Sequence, residues 1–310
     1  MKLNIDHDPD ALRMDSKRHT PVMPQEIRRF CAPAPGGSFL DATVGLGGHA
    51  ALIAPLLGSR GHYIGIDRDK ESLEIARAAL RSLPVKCTLI HDDYRNVDRI
   101  LTTLNIRQLD GVLFDLGISS FQLNDAARGF SFKADGPLDM RINQDSFLSA
   151  YDLINSLSEQ ELSLILRNYG QERWHNRIAH YLVEQRSRAP IQTTQELREA
   201  VLRAMPRGRK WQKIDPATRT FQAFRIAVNR ELESLEIAMT KIPRFLKPQG
   251  RLCVISFHSL EDRIVKLKLR QFAHRQVVKL VVKKPLRPTE EEISLNPRAR
   301  SARLRVAEKM

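Results

Sequence analysis

The chain has 310 residues, 42% of them hydrophobic, and a formal net charge of +14, which excludes a disordered chain and leaves no apolar run long enough to span a bilayer. The charge is clustered: residues 263–310 hold 14 Lys/Arg against 4 Asp/Glu, and residues 201–230 hold 8 against the single acid Asp215. Clustering of this kind favours a polyanionic partner, and without a basic amphipathic stretch carrying bulky aromatics, nucleic acid is favoured over a membrane surface.

Residues 1–17 carry Asp6, Asp8, Asp10 and Asp15 and lack the apolar run of a secretory signal. They read as a flexible tail on a cytoplasmic protein. Strands are predicted over 38–44, 62–66, 87–90 and 110–116, alternating with helices over 49–57, 70–81 and 97–104. Such alternation implies a parallel sheet with helices on both faces. Between 124 and 215 no strand pattern occurs. Helices are predicted there over 153–168, 171–186 and 194–204, with Ser158 and Glu161 spaced as a capping box. A long helix over 220–239, a Lys247-Pro-Gln-Gly250 turn, a buried strand over 251–257 and a helix over 261–270 then restore the α/β pattern. Two last strands, 277–283 and 302–307, flank a loop containing Pro285, Pro288 and Pro297. Cys31, Cys87 and Cys253 are not spaced as zinc ligands and read as small buried hydrophobes. No metal site is expected.

The first candidate site is Asp41-Ala-Thr-Val-Gly45-Leu-Gly47-Gly48-His49, where a strand meets a helix through glycines. Glycine allows close backbone approach, and the helix start offers free N–H groups to an anion. Asp67 ends the second strand, where a carboxylate can accept from ribose hydroxyls. The glycines do not fit G-x-G-x-x-G, which argues against a nicotinamide-dependent dehydrogenase. Asp41 and the later Asp92-Asp93-Tyr94 are more typical of an S-adenosylmethionine site.

Several motifs resemble one family. They are His19-Thr-Pro-Val-Met23, Gly47-Gly-His49, Asp115-Leu-Gly-Ile-Ser-Ser120, Arg128-Gly-Phe-Ser-Phe132, Gly136-Pro-Leu-Asp-Met-Arg141, Pro216-Ala-Thr-Arg-Thr-Phe-Gln222, Ser256-Phe-His-Ser-Leu-Glu-Asp-Arg263 and Asn296-Pro-Arg-Ala-Arg-Ser301. From about Arg18 to Lys309 the chain resembles the MraW/RsmH family of bacterial small-subunit ribosomal RNA cytidine N4-methyltransferases. It departs at Phe121, where that family has proline, and at Ala50, where serine is common. The resemblance implies S-adenosylmethionine held by Gly47, Gly48, His49, Asp67, Tyr94, Asp115 and Gln122. It also implies a cytidine in the decoding region of 16S ribosomal RNA, free or in the small ribosomal subunit, as substrate.

The expected architecture is therefore an α/β, Rossmann-like S-adenosylmethionine-dependent methyltransferase sheet interrupted by an all-helical insertion. Residues 18–123 and 216–310 form the sheet domain, and 124–215 form an RNA-recognising insertion. A cytosine amine is a poor nucleophile because its lone pair is delocalised, so acceptors for its N–H groups and in-line orientation are needed. Asp139, Ser120 and His258 are the catalytic candidates. Asp115 is read first as a partner of the donor's amino group. Arg141, Lys210, Trp211, Arg263, Arg298, Arg300 and Arg303 are the RNA-binding candidates, Trp211 because an aromatic among cations suits base stacking. A rival is an RNA-binding module without catalysis, which an assay of methyl transfer separates.

Overall fold

The structure is a computed structural model that describes residues 21–206 and 215–310, so the tail expected over 1–17 lies outside the described residues. Seven strands form one sheet in the order β3-β2-β1-β4-β5-β7-β6. They are β1 (Ser38–Asp41), β2 (His62–Asp67), β3 (Lys86–His91), β4 (Leu109–Asp115), β5 (Leu246–Ser256), β6 (Val278–Leu280) and β7 (Arg303–Lys309). The first five are parallel, and β7 is antiparallel to both β5 and β6. This is the Rossmann-like architecture expected.

Period-two alternation splits the apolar side chains between two cores. Leu40, Ile64, Val112, Phe114, Leu252 and Val254 enter one core. Their neighbours Phe39, Tyr63, Leu113, Cys253 and Ile255 enter the other. Helices α1 (Pro24–Phe30), α2 (Gly48–Leu57) and α3 (Lys70–Leu80) cover the second face; α4 (Val97–Thr103) covers the first. Cys31 and Cys253 are buried and unbridged, as expected of packing residues.

After the short α5 (Ser120–Asn124) the chain enters a helical unit. It contains α6 (Ala150–Ser156), α7 (Glu159–Gly170), α8 (His175–Arg186) and α9 (Thr194–Ala204), and it packs on α10 (Ala217–Asn229). One helix expected over 153–168 is two, because Ser158 caps the second through Glu161 and thereby interrupts the first. Gln171 stands in the left-handed region (φ 48°), so α8 begins at His175 rather than at 171. Thr193 caps α9, in a reciprocal box with Glu196. Ala217, Phe221, Ala223 and Phe224 of α10 belong to the helical core, so this unit extends past the expected boundary at 215 to Asn229.

The long helix expected over 220–239 is likewise two. Arg230 takes φ 49° between α10 and α11 (Glu231–Lys241). The Lys247–Gly250 turn is absorbed into β5, where the register slips opposite Leu109/Gly111 and Gln249 has φ 67°. After α12 (Ser259–His274), the expected proline-rich loop contains a helix, α13 (Glu290–Leu295), which Thr289 caps. Among the described residues no helix is long and apolar enough to cross a membrane.

Candidate active site

A cleft opens at the carboxyl ends of β1, β2, β4 and β5 and is lined also by Ile142 of the helical unit and by Asn296 and Arg298. Its first wall is the turn after β1. Gly47 caps α2 with φ 87°, a conformation that penalises a side chain. Gly45 and Gly48 line the cleft, whereas Gly47 shapes the turn against Ala76. Asp41 stays behind the turn: its carboxylate accepts from Thr43 N at 3.0 Å and from the Tyr63 hydroxyl at 2.7 Å. Burial pushes its pKa up to about 6. Asp41 is therefore a support of the turn.

Asp67 closes the turn from the neighbouring strand. One oxygen accepts from Gly45 N at 2.7 Å, the other from Asp69 N at 2.9 Å. Burial raises its pKa against those bonds. Tyr94 also lines the cleft and packs edge-on against Phe114, with ring centres 5.5 Å apart. Gln122 reaches the cleft too, but its amide is committed to holding the loop. Its Nε2 donates to Asp69 at 2.6 Å, and its Oε1 accepts from Ser119 N at 2.9 Å.

At the end of β4, Asp115 faces His49 across 3.4 Å. His49 Nε2 lies 2.9 Å from the Val22 carbonyl, which can only accept, so Nε2 carries a proton. Donation from Nδ1 to Asp115 then requires a second proton. Burial alone lowers the His49 pKa, but the bond and charge of Asp115, with Asp41 behind, raise it on balance. Asp115 Oδ1 is buried and has no partner, although Asp115 lines the cleft. An acceptor left unmatched in this way is suited to an ammonium or amine group of a ligand.

Ser120 lines the cleft at the first turn of α5. His258 does not. It caps α12, its Nδ1 accepting from Glu261 N, while Glu261 Oε2 accepts from Phe257 N at 2.8 Å. By spacing alone His258 and Glu261 are a conceivable metal pair; Glu231 joins them in space, the three ligand atoms lying within 4.8 Å of one another. The chemistry opposes a metal centre. Accepting through Nδ1 leaves Nε2 protonated and unable to ligate. Arg225 already grips both Glu231 oxygens at 2.9 Å. Although burial favours the neutral form, His258 and Arg225 hold the Glu261 pKa below its ordinary value.

Asp139 is also away from the cleft, contrary to the expectation that it meets a target base. It lines a separate hollow on the helical unit with Arg141 and Asp152. Arg141 donates to it from Nη2 at 2.6 Å and Nε at 3.0 Å, and from its own backbone N–H at 2.8 Å. Asp139 is therefore placed as an ion-pair partner rather than as a base, and Arg141 is occupied by it.

Of the basic candidates, Arg263, Arg298 and Arg300 are exposed. Arg298 stands at the cleft rim, donates to Asn124 at 2.9 Å, and partial desolvation lowers its pKa. Arg303 differs: β7 places it beside Arg305 on Asp262, at 3.2 Å, so its cation is already paired within the fold. Lys210 and Trp211 lie outside the described residues. Glu231 and Asp69 sit in no sequence pattern that signals a site, and Arg128, although it opens the Arg128-Gly-Phe-Ser-Phe132 motif, is given no role by the sequence.

Residues 16–310 match the MraW methylase family. The chain belongs to that family. Its relatives include proteins named ribosomal RNA small subunit methyltransferase H from three bacteria. The one from Pelobacter propionicus is 46% identical, covering 94% of this chain and 99% of its own. That from Geotalea uraniireducens is 46% identical over 96% and 100% of the two chains. The Koribacter versatilis protein is 47% identical over 93% of each. A methylase of this family needs a methyl donor, and the cleft suits S-adenosylmethionine: it combines a glycine turn, a strand-end carboxylate, an aromatic wall and an unmatched acceptor.

Proposed function

We propose that this MraW-family methylase transfers a methyl group from S-adenosylmethionine to the exocyclic N4 amine of a cytidine in the decoding region of 16S ribosomal RNA. The supporting observation is the unmatched Asp115 oxygen in a cleft whose rim carries the exposed cation of Arg298. The names of the relatives supply the substrate class, and the resemblance of the sequence motifs supplies the base and atom.

S-adenosylmethionine, when bound, supplies an electrophilic methyl group. The protein's part is orientation and charge. Asp67 would hold the ribose hydroxyls, its two backbone bonds keeping both oxygens fixed, and Tyr94 would offer the adenine an aromatic wall. His49, 3.4 Å from Asp115, keeps that carboxylate aimed, so its unmatched oxygen would receive the donor's amino group. Ser120 lies on the loop that continues from Asp115 and offers a cleft-facing acceptor for an amine N–H. Holding the amine in line lowers the barrier by removing rotational freedom beforehand. Arg298 and Arg300 meet phosphates, which position an RNA without reading its bases.

Mass mapping of 16S ribosomal RNA from cells with and without the protein tests this reading. The expected result is one decoding-region cytidine losing a single methyl mass, regained when purified protein and donor are added to the unmodified subunit. An unchanged map, or a methyl at a ring carbon or ribose, overturns it.

A further inference from the structure

Arg128 is the largest fully buried side chain among the described residues, at 1% exposure. A buried guanidinium persists only if most of its donors are matched, and the partners of this one come from both sides of the cleft. Nη1 donates to Asp69 Oδ2 at 3.0 Å. Nη2 donates to the carbonyls of Arg141 at 3.1 Å and Ile142 at 2.9 Å. The same Asp69 oxygen accepts from Gln122, and Asp69 N–H is bonded to Asp67. One cation thus ties the Asp67–Asp69 turn to the segment whose Ile142 also lines the cleft.

A second tie runs parallel to it. Arg68 donates to the Asn229 carbonyl at 2.7 Å. The Asn229 amide accepts from Ile142 N at 2.8 Å and donates to Met140 O at 2.7 Å. Met140 itself has φ 60°, a conformation that a methionine does not adopt without such support. Residues 140–142 are therefore held by polar bonds at several points, of which those from Arg128 lead to the donor side and those from Asn229 to the end of α10. A buried polar network matched in this way is rigid and holds one arrangement.

We infer that Arg128 is a positioning residue that couples donor occupancy to the orientation of the helical unit, so that donor and RNA bind cooperatively. Donor hydroxyls on Asp67 draw on the carboxylate that also anchors Asp69 N–H. The Asp69 side chain adjusts with its backbone, and Arg128 carries the adjustment to residues 140–142. The inference rests on the proposed RNA substrate. Because linkage is reciprocal, RNA tightens the donor by the same factor as the donor tightens RNA.

The test uses the full chain, S-adenosylhomocysteine as a non-reactive donor analogue, and small ribosomal subunits lacking the methyl group. Each ligand's affinity is measured with and without the other for the parent protein, Arg128→Lys and Asn229→Ala. Lysine keeps the charge but cannot bridge a carboxylate and two carbonyls at once. The parent is expected to show mutual tightening of about 5- to 100-fold. In Arg128→Lys this factor falls below about twofold while each separate affinity stays within about threefold. Asn229→Ala, cutting the parallel tie, gives a partial loss and serves alone if the lysine variant does not fold. No coupling in the parent, or full coupling in folded Arg128→Lys, overturns the inference, as does full coupling in Asn229→Ala where the lysine variant does not fold. Failure of subunits to bind at all removes the RNA reading and this inference with it, whereas binding without coupling removes this inference alone.

Discussion

Replacing Asp139 by alanine separates a catalytic carboxylate from a structural one. In the folded protein its two oxygens take Arg141 Nη2 at 2.6 Å, Nε at 3.0 Å and the Arg141 backbone N–H at 2.8 Å. The pair is mostly shielded, with side chains 17% and 26% exposed, and the Asp139 bond holds the Arg141 pKa above its ordinary value. Alanine leaves Arg141 with the Ser146 carbonyl at 2.7 Å. Charge-assisted bonds contribute about 1.5–3 kcal/mol each when isolated, and those of one pair on the same carboxylate are not additive. Partial exposure reduces the total further, to roughly 1–2 kcal/mol. For a chain of this size, with an unfolding entropy of about 2.1 cal/mol/K per residue, that corresponds to a fall in Tm of roughly 1.5–3 °C. Single-turnover methyl transfer, measured beside a thermal melt, is expected to stay within about threefold of the parent. A folded, unshifted protein with its rate reduced by about 10²–10⁴, as for a removed general base, refutes the structural assignment.

Asp67→Ala should weaken donor binding about 10- to 100-fold by calorimetry, the loss of charge-assisted acceptance by one carboxylate; unchanged affinity in a folded protein removes Asp67 from the donor site. Arg298→Ala with Arg300→Ala should flatten the salt dependence of RNA affinity by roughly two units, one for each phosphate that is no longer neutralised. Arg303→Ala should leave that slope alone and lower Tm instead, since its partner is Asp262; the opposite pattern reverses the two roles. Asp41 has a folded pKa of about 6 against an ordinary 3.8, so the native state retains a proton that the unfolded chain releases. The associated stability is present below about pH 4 and is lost as pH rises through about 6, by about 3 kcal/mol. Asp41→Asn should remove that decline from urea midpoints measured between pH 4 and 7, and an unaltered decline assigns it to another group.

Much of the sheet is legible in the sequence because strand burial repeats every two residues and the glycine turn and Asp67 fall at strand ends. Asp115 is legible for the same reason. What escapes depends on partners distant along the chain. Arg230 breaks a helix in the left-handed region without a glycine to announce it. Glu231 approaches His258 only after α11 and α12 pack. Asp139 and Arg141 are neighbours by spacing, but nothing local says that they face each other rather than a ligand. Arg303 alternates with apolar residues as any half-exposed strand residue does, and Asp262 lies 41 positions away. The apolar face of α10 fits either domain by periodicity alone, and only packing assigns Ala217, Phe221 and Phe224 to the helical core.

The position of β7 between β5 and β6 bears on the order in which the molecule is made. The helical core draws on residues from Phe130 to Phe224, one continuous stretch that can pack before the last strands are made. The sheet is different. Its β4 strand must wait for β5, more than a hundred positions later, and the outer edge of β5 stays open until residues 303–309 arrive. During synthesis a finished bundle therefore hangs from an unfinished sheet whose exposed edge is a hydrogen-bonding template for other chains. Chaperone demand should accordingly peak late in translation, and slowing the last stretch of codons should cost more soluble protein than slowing those of the helical unit.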